Sequence, residues 1–323
     1  MRVLVSDPIG QEGIEILRGN AEVDIKPDLK PDELVSIIGD YEALVVRSQT
    51  RVTAEVLEAG KKLQVVARAG VGTDNIDVDV ATRRGILVVN APTSNTISAT
   101  EHTIALMLAL ARHVAQANAS LKAGEWRRND FVGTEVRNKV LGIVGLGNVG
   151  SEVARRALGL EMELIAYDPY IAEDYARNFQ VELVTLDELL KRSDFITFHA
   201  PLTKLTKEII GEKELSLVKP TVRIINTARG GLINEEALVE AIRAKKVGGA
   251  AFDVFDTEPI ISSILFEEDN IIVTPHLGAS TAEAQAMVAE DIAEQIIDVF
   301  NGEPARYAVN APFISAETMS GLS

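Results

Sequence analysis

No cysteine occurs among the 323 residues. That absence excludes a disulfide framework, a cysteine nucleophile and thiolate zinc sites together, and no metal is expected. Positive charge is also scarce. Lys and Arg number 32 against 48 Asp and Glu, a formal net charge of −16, whereas proteins that bind nucleic acid recruit Lys and Arg to the phosphates. The same balance disfavours an anionic membrane surface. Long apolar runs are missing too. The most apolar stretch, Ile104 to Ala111, is closely flanked by Glu101, His102, Arg112 and His113, far short of the roughly 20 apolar residues that cross a bilayer. The N-terminus, Met1-Arg2-Val3-Leu4-Val5-Ser6-Asp7, leads into no apolar h-region, so it reads as a strand rather than a signal peptide. The expectation is a cytoplasmic protein with neither nucleic acid nor membrane as partner.

What is present is alternation. Short apolar strands alternate with helical patterns throughout, the signature of βαβ units and a parallel sheet. One series runs through Val3–Val5, Glu22–Ile25, Ala43–Val46, Val65–Ala67 and Leu87–Asn90; a second runs through Val140–Val144, Leu164–Tyr167, Phe195–Phe198, Val222–Asn226, Ala250–Asp253 and Ile271–Thr274. Helices are expected over Pro31–Gly39, Thr53–Ala59, a long span from about Ile97 to Lys122, and from Thr281 to Phe300 with Ser280 as its cap. A return of that last helix to the first series makes the first domain discontinuous. The expected boundaries are 1–97 with 287–323 for this first domain, and 98–286 for a second domain inserted into it.

Gly145-Leu146-Gly147-Asn148-Val149-Gly150 matches G-x-G-x-x-G. Alone the pattern is weak, but here it directly follows the strand Val140–Val144 and precedes a helical run from Ser151. The first glycine permits a tight turn, the second a close backbone approach to pyrophosphate and the third close helix–strand packing, while the helix N-terminus favours the anion. Asp168 ends the next strand, 18 residues after Gly150. A carboxylate there can accept the adenosine ribose hydroxyls and repel a 2′-phosphate, so NAD rather than NADP is the expected cofactor. A plain turn at Asp168-Pro169 is the alternative that the spacing disfavours.

Three segments follow apolar strands in the last third: Thr227-Ala228-Arg229-Gly230-Gly231, Asp253-Val254-Phe255-Asp256-Thr257-Glu258-Pro259 and Thr274-Pro275-His276-Leu277-Gly278. Beyond the carboxyl ends of parallel strands is where such sheets bind ligands, so Arg229, Glu258 and His276 are expected to converge. Arginine binds a carboxylate with two parallel hydrogen bonds. Histidine can take the hydroxyl proton when hydride leaves a secondary alcohol, and a glutamate on its other nitrogen fixes the tautomer. Gly230-Gly231 marks backbone that something approaches closely. His102 and His113 read as packed or interfacial, and His199 as lining the cofactor pocket. Arg47 and Arg68 each follow an apolar strand of the first series, with Asn95 on a nearby loop; in so acidic a chain such cations suit a dianionic ligand. Ile104, Leu106, Met107, Leu108 and Leu110 surround too much of their helix to face one core, which suggests a homodimer interface.

Together with Arg-Ala-Gly-Val-Gly-Thr-Asp-Asn-Ile-Asp at 68–77 and Asn90-Ala91-Pro92-Thr93-Ser94-Asn95 running into Ala99-Thr100-Glu101, these motifs resemble the D-isomer-specific 2-hydroxyacid dehydrogenase family over essentially the whole chain. The resemblance implies two doubly wound α/β domains with parallel sheets, a Rossmann NAD-binding domain inserted into a flavodoxin-like substrate-binding domain. It implies His276 as acid/base, Glu258 as its partner and Arg229 as the carboxylate anchor. Around NAD it places Val71, Gly145, Gly147, Asn148, Val149, Gly150, Asp168, Ala200, Thr227, Ala228, Arg229, Asp253, His276, Gly278 and Ala279. For the substrate it implies Arg47, Arg68, Ala69, Gly70, Asn95 and Arg128, the last matching a phosphate-contacting position. The implied reaction is NAD-dependent oxidation of 3-phospho-D-glycerate, the first step of serine biosynthesis, by a homodimer or tetramer. The alternatives are a hydroxypyruvate or glyoxylate reductase and an NAD-sensing corepressor.

Overall fold

The computed structural model describes residues 1–311; the end of the expected substrate-binding domain, 312–323, lies outside the described residues. The chain forms two compact units, Met1–Asn95 with the chain from residue 279 onward, and Thr96–Gly278. The first holds a five-stranded parallel sheet of β1 (Arg2–Val5), β2 (Glu22–Ile25), β3 (Ala43–Val46), β4 (Val65–Arg68) and β5 (Leu87–Asn90) in the order β2-β1-β3-β4-β5. The second holds a seven-stranded parallel sheet of β6 (Val140–Val144), β7 (Glu163–Tyr167), β8 (Glu182–Leu183), β9 (Phe195–Phe198), β10 (Arg223–Asn226), β11 (Gly249–Phe252) and β12 (Ile271–Val273). Its order is β12-β11-β10-β9-β6-β7-β8. Among the described residues no helix is long and apolar enough to cross a membrane.

The continuous apolar strands arise because both sheet faces are covered by helices. In the first unit Leu4, Leu44, Val66 and Val88 enter one core with Leu34, Val56 and Val80. Their neighbours Val3, Val45, Val65 and Val89 enter the other core with Leu17, Ile292 and Ile296. In the second unit Ile196, Ile224 and Phe252 point to one core, and Leu141, Phe195, Ile225 and Ala251 to the other. The two-residue β8 escapes sequence reading because it carries no apolar run.

The helix Ala282–Phe300 packs within the first unit on the helix Gln11–Arg18. The approach is so close that a Cβ on Gly13 would sit 2.4 Å from the Ala289 carbonyl oxygen. Gln295, fully buried on that helix, donates to the Asn90 carbonyl at 3.0 Å and accepts from the Tyr307 N–H at 2.9 Å. An unbroken helix anchored along its length is not divided at residue 287. Residues 279–286, expected with the nucleotide domain, therefore group with the first unit. Its cap is Thr281, whose hydroxyl accepts from the Ala284 N–H, rather than Ser280.

The long span expected over Ile97–Lys122 is two helices, Thr96–Ala111 and Val114–Lys122. They break at His113, whose φ of 52° lies in the left-handed region, disfavoured for a residue with a side chain. Beyond the break the chain returns, and the Thr134 N–H donates to the Ala111 carbonyl at 2.9 Å. Leu106, Met107 and Leu110 face the second unit's own core, with Ile104 packed against it. Apart from Ile97 in the first turn of Thr96–Ala111, the exposed large apolar side chains of this stretch lie further on: Val114, Leu121, Trp126 and Val132, the last two 80% and 79% exposed.

Candidate active site

Strand register aligns six functional positions. Tyr167, Val144, Phe198, Asn226, Phe252 and Val273 pair across neighbouring strands in one row. The residues that follow, Asp168, Gly145, His199, Thr227, Asp253 and Thr274, therefore line the sheet's carboxyl edge. The strand order reverses at β6, whose neighbours are β9 and β7; a ligand crevice opens at such a switch point.

The glycine loop at that point fits a dinucleotide. Gly145 adopts φ 93°, and a Cβ on it would stand 2.6 Å from the His199 carbonyl oxygen. A Cβ on Gly150 would stand 2.1 Å from the Gly145 oxygen, so the third glycine seats the helix Asn148–Gly159 against the loop. A Cβ on Gly147 would meet nothing within 4 Å, which leaves open space for the pyrophosphate. The helix has no side-chain cap at Gly147, leaving its first N–H groups, including those of Asn148 and Val149, to an anion. Asp168 has a role that the sequence did not disclose. One carboxylate oxygen accepts from the Leu146 N–H at 2.9 Å and the other from the Tyr170 N–H at 2.9 Å, so this side chain also fixes the glycine loop.

Glu258 and His276 meet directly, with Glu258 Oε2 2.6 Å from His276 Nδ1. The other glutamate oxygen accepts from the Phe255 N–H at 3.0 Å. Burial pushes the Glu258 carboxyl upward, but the hydrogen bond and charge of His276 outweigh it and hold the group below its ordinary range. Because the carboxylate accepts at Nδ1, that nitrogen carries the hydrogen, and it is Nε2 that gives up or takes a proton when the ring passes between its charged and neutral forms. The His276 backbone has φ 53°, which turns the ring off the strand end, and the side chain is part-exposed.

Arg229 lies on the loop after β10, its Nη1 donating to the Ala228 carbonyl at 2.6 Å. Buried Asn226 braces that loop, accepting from the Ala228 N–H and donating to the Arg229 carbonyl. A Cβ on Gly230 would fall 2.0 Å from the Phe255 carbonyl carbon. The close approach signalled by Gly230-Gly231 is thus made by the chain's own backbone, in the segment whose N–H holds Glu258. Thr227 shares a 2.7 Å hydrogen bond with Thr103, and half-buried Ala200 follows His199 at the end of β9.

Asp253 is fully buried. Burial alone would raise its carboxyl, yet hydrogen bonds from His102, Thr274 and the Leu277 N–H keep it below the usual range. His102, read from sequence as packed or interfacial, is 3.2 Å from Asp253 and 3.1 Å from Thr274. The available signal was a run of polar residues, Ser98, Thr100, His102 and Thr103, within an otherwise apolar helix. Burial pushes the His199 imidazole down to about 3, so it is neutral near pH 7 and rests on the Thr197 hydroxyl at 2.9 Å.

The remaining residues divide between the units. In the first, β3 and β4 are neighbours that pair Val46 with Arg68, placing Arg47 one step beyond. Buried Asp7 accepts from the Arg47 N–H at 2.5 Å and from the Thr50 hydroxyl at 2.6 Å. Arg68 Nη1 donates to the Ala69 carbonyl at 3.2 Å, and its guanidinium occupies the space of a Cβ on Gly70, which has φ 147°. Val71 accepts from the Asn90 amide at 2.6 Å. Asn95 closes the first stretch of that unit, and Ala279 opens its second. Arg128 belongs to the second unit and is exposed in the short helical turn Arg128–Phe131.

Residues 104–278 match the family model described as D-isomer specific 2-hydroxyacid dehydrogenase, NAD binding domain. The chain is 52% identical over 321 residues to D-3-phosphoglycerate dehydrogenase of Synechocystis sp., covering 99% of this chain and 58% of that protein. It is 50% identical over 316 residues to D-3-phosphoglycerate dehydrogenase of Archaeoglobus fulgidus, covering 97% and 60%. The chain thus spans about three fifths of the length of these curated relatives. Among solved structures, D-lactate dehydrogenase from Aquifex aeolicus complexed with NAD and lactic acid superposes with a TM-score of 0.86 at 28% identity, covering 97% of this chain and 100% of that one. The chain belongs to the D-isomer specific 2-hydroxyacid dehydrogenase family, with residues 104–278 as its NAD-binding domain.

Proposed function

We propose that this chain interconverts 3-phospho-D-glycerate and 3-phosphohydroxypyruvate with NAD. The observation that carries the reading is the 2.6 Å pair of Glu258 and His276, which leaves Nε2 of a part-exposed imidazole as a base. In oxidation His276 Nε2 takes the proton of the C2 hydroxyl; in reduction it returns that proton to the carbonyl oxygen. Glu258 stabilises the imidazolium formed in between. Arg229 holds the substrate carboxylate and so sets which face of C2 is presented. NAD, when bound, supplies the acceptor for the hydride that leaves C2. The glycine loop, Asp168 and the neighbouring residues named for the cofactor hold it.

The phosphorylated substrate is supported by the names of the two relatives and by Arg47 and Arg68 at adjacent strand ends, with Arg128 as a further cation. Charge-assisted hydrogen bonds contribute roughly 1.5–3 kcal/mol each. Arg68→Ala and Arg128→Ala should therefore raise KM for phosphohydroxypyruvate about tenfold or more, and for unphosphorylated hydroxypyruvate much less. Equal losses on both would refute the phosphate assignment. A homodimer is part of this reading, and the exposed apolar side chains Val114, Leu121, Trp126 and Val132 are ones that such an interface would cover.

A further inference from the structure

We infer that His102 is a positioning residue for His276, acting through the buried carboxylate of Asp253. The inference rests on the proposed dehydrogenase reaction. Three backbone hydrogen bonds suspend the His276 turn from Asp253. The His276 N–H donates to the Asp253 carbonyl at 2.8 Å. The next two N–H groups donate to its carboxylate, Leu277 to Oδ1 at 2.7 Å and Gly278 to Oδ2 at 2.8 Å. The turn needs such support, because His276 sits at φ 53°, a conformation that non-glycine residues keep only when their surroundings enforce it.

The carboxylate in turn is steadied from the side. Thr274 Oγ1 donates to Oδ1 at 2.6 Å, which uses the only hydroxyl hydrogen that threonine has. An ionised carboxylate only accepts. His102 Nε2, 3.1 Å from Thr274 Oγ1 and 3.2 Å from Asp253 Oδ1, therefore faces two acceptors and must carry a hydrogen shared between them. That fixes the His102 tautomer. The ring comes from the helix Thr96–Ala111, so it is the link tying that helix to the carboxylate from which the His276 turn hangs. Without it the Asp253 carboxylate loses one of the contacts that set its angle, its bonds to the Leu277 and Gly278 N–H groups open more often, and the imidazole of His276 drifts from its productive position.

The test uses His102→Leu, which removes the donor at similar size, and His102→Gln, whose Nε2 reaches the same place and donates to the same acceptors. Two experiments are run: steady-state kinetics, giving kcat and KM for phosphohydroxypyruvate at saturating NADH, and hydrogen exchange of the Leu277 and Gly278 amides by NMR in the protein alone. The expected result for His102→Leu is a kcat about tenfold lower with KM within about threefold, and amide exchange about tenfold faster. His102→Gln should restore both to within about threefold of the original. Unchanged exchange at both amides in His102→Leu, or equal losses in the two variants, would overturn the inference. If the unaltered protein turned over no 2-oxo acid, the reaction would fall, and the amide exchange would still decide whether His102 holds the turn.

Discussion

Replacing Asp168 by alanine tests the dinucleotide site with a magnitude drawn from the structure. The obvious expectation is that losing the carboxylate relaxes the choice between NAD and NADP, because a 2′-phosphate no longer meets a negative charge. The structure adds a second consequence. Both oxygens accept backbone N–H groups, Leu146 within the glycine loop and Tyr170 just beyond the strand, each at 2.9 Å. Alanine removes both acceptors. The site is only half-buried, so water takes over part of the bonding, and about 1 kcal/mol for each bond is appropriate. The loop therefore loosens by about 2 kcal/mol, about thirtyfold in NADH affinity at 1.4 kcal/mol per decade. NADPH affinity should gain little, since the same loop must hold its pyrophosphate. Fluorescence titration with each cofactor measures this directly. If Asp168→Ala kept its NADH affinity while gaining strongly for NADPH, the carboxylate would be a ribose selector only, and the loop-fixing role would be wrong.

Three further outcomes follow from the same geometry. His276→Ala should lower kcat by roughly 10²–10⁴, the usual range for a general acid–base group, with the Kd for NADH within about threefold; a larger loss in Kd than in kcat would show the ring serving the cofactor instead. Glu258→Gln should reduce stability near pH 7: the folded carboxyl is held below its ordinary value of 4.5, so its contribution is present above that value and lost as pH falls through the depressed one. Tm for the two proteins should differ at pH 7 and converge as pH falls through the depressed carboxyl value, below the ordinary 4.5; a gap that widened on acidification would contradict the pairing. Gly230→Ala should impair turnover and stability together, because its Cβ would fall 2.0 Å from the Phe255 carbonyl carbon; a variant with unchanged Tm and rate would show that the two loops separate at no cost.

Much of this was legible before the fold was known, for a physical reason. Strands covered on both faces become short apolar runs, and the first polar residue after each run falls at the sheet's carboxyl edge. Asp168 and Asp253 stand at such positions, and His276 follows two residues after Thr274, the one that ends β12. What stayed hidden depends on contacts between residues distant in the chain. His102 meets Thr274 across 172 positions, and nothing in an apolar helix distinguishes a histidine aimed at a carboxylate from one merely packed. The break at His113 carries neither glycine nor proline as a signal. The glycine pair at 230–231 announced a close approach correctly but not its partner, which is the backbone of Phe255 rather than a ligand. The cap of the last helix was misplaced by one residue because Ser280 and Thr281 are equally able to serve.

The central claim, a dehydrogenase selective for a phosphorylated 2-oxo acid, is tested most directly by NADH oxidation with phosphohydroxypyruvate, hydroxypyruvate and glyoxylate side by side. The account predicts the highest kcat/KM for phosphohydroxypyruvate, by at least about tenfold, since one charge-assisted hydrogen bond to the phosphate is enough for that ratio. Equal or better turnover of the unphosphorylated acids would contradict the substrate assignment, and no turnover of any would contradict the reaction itself.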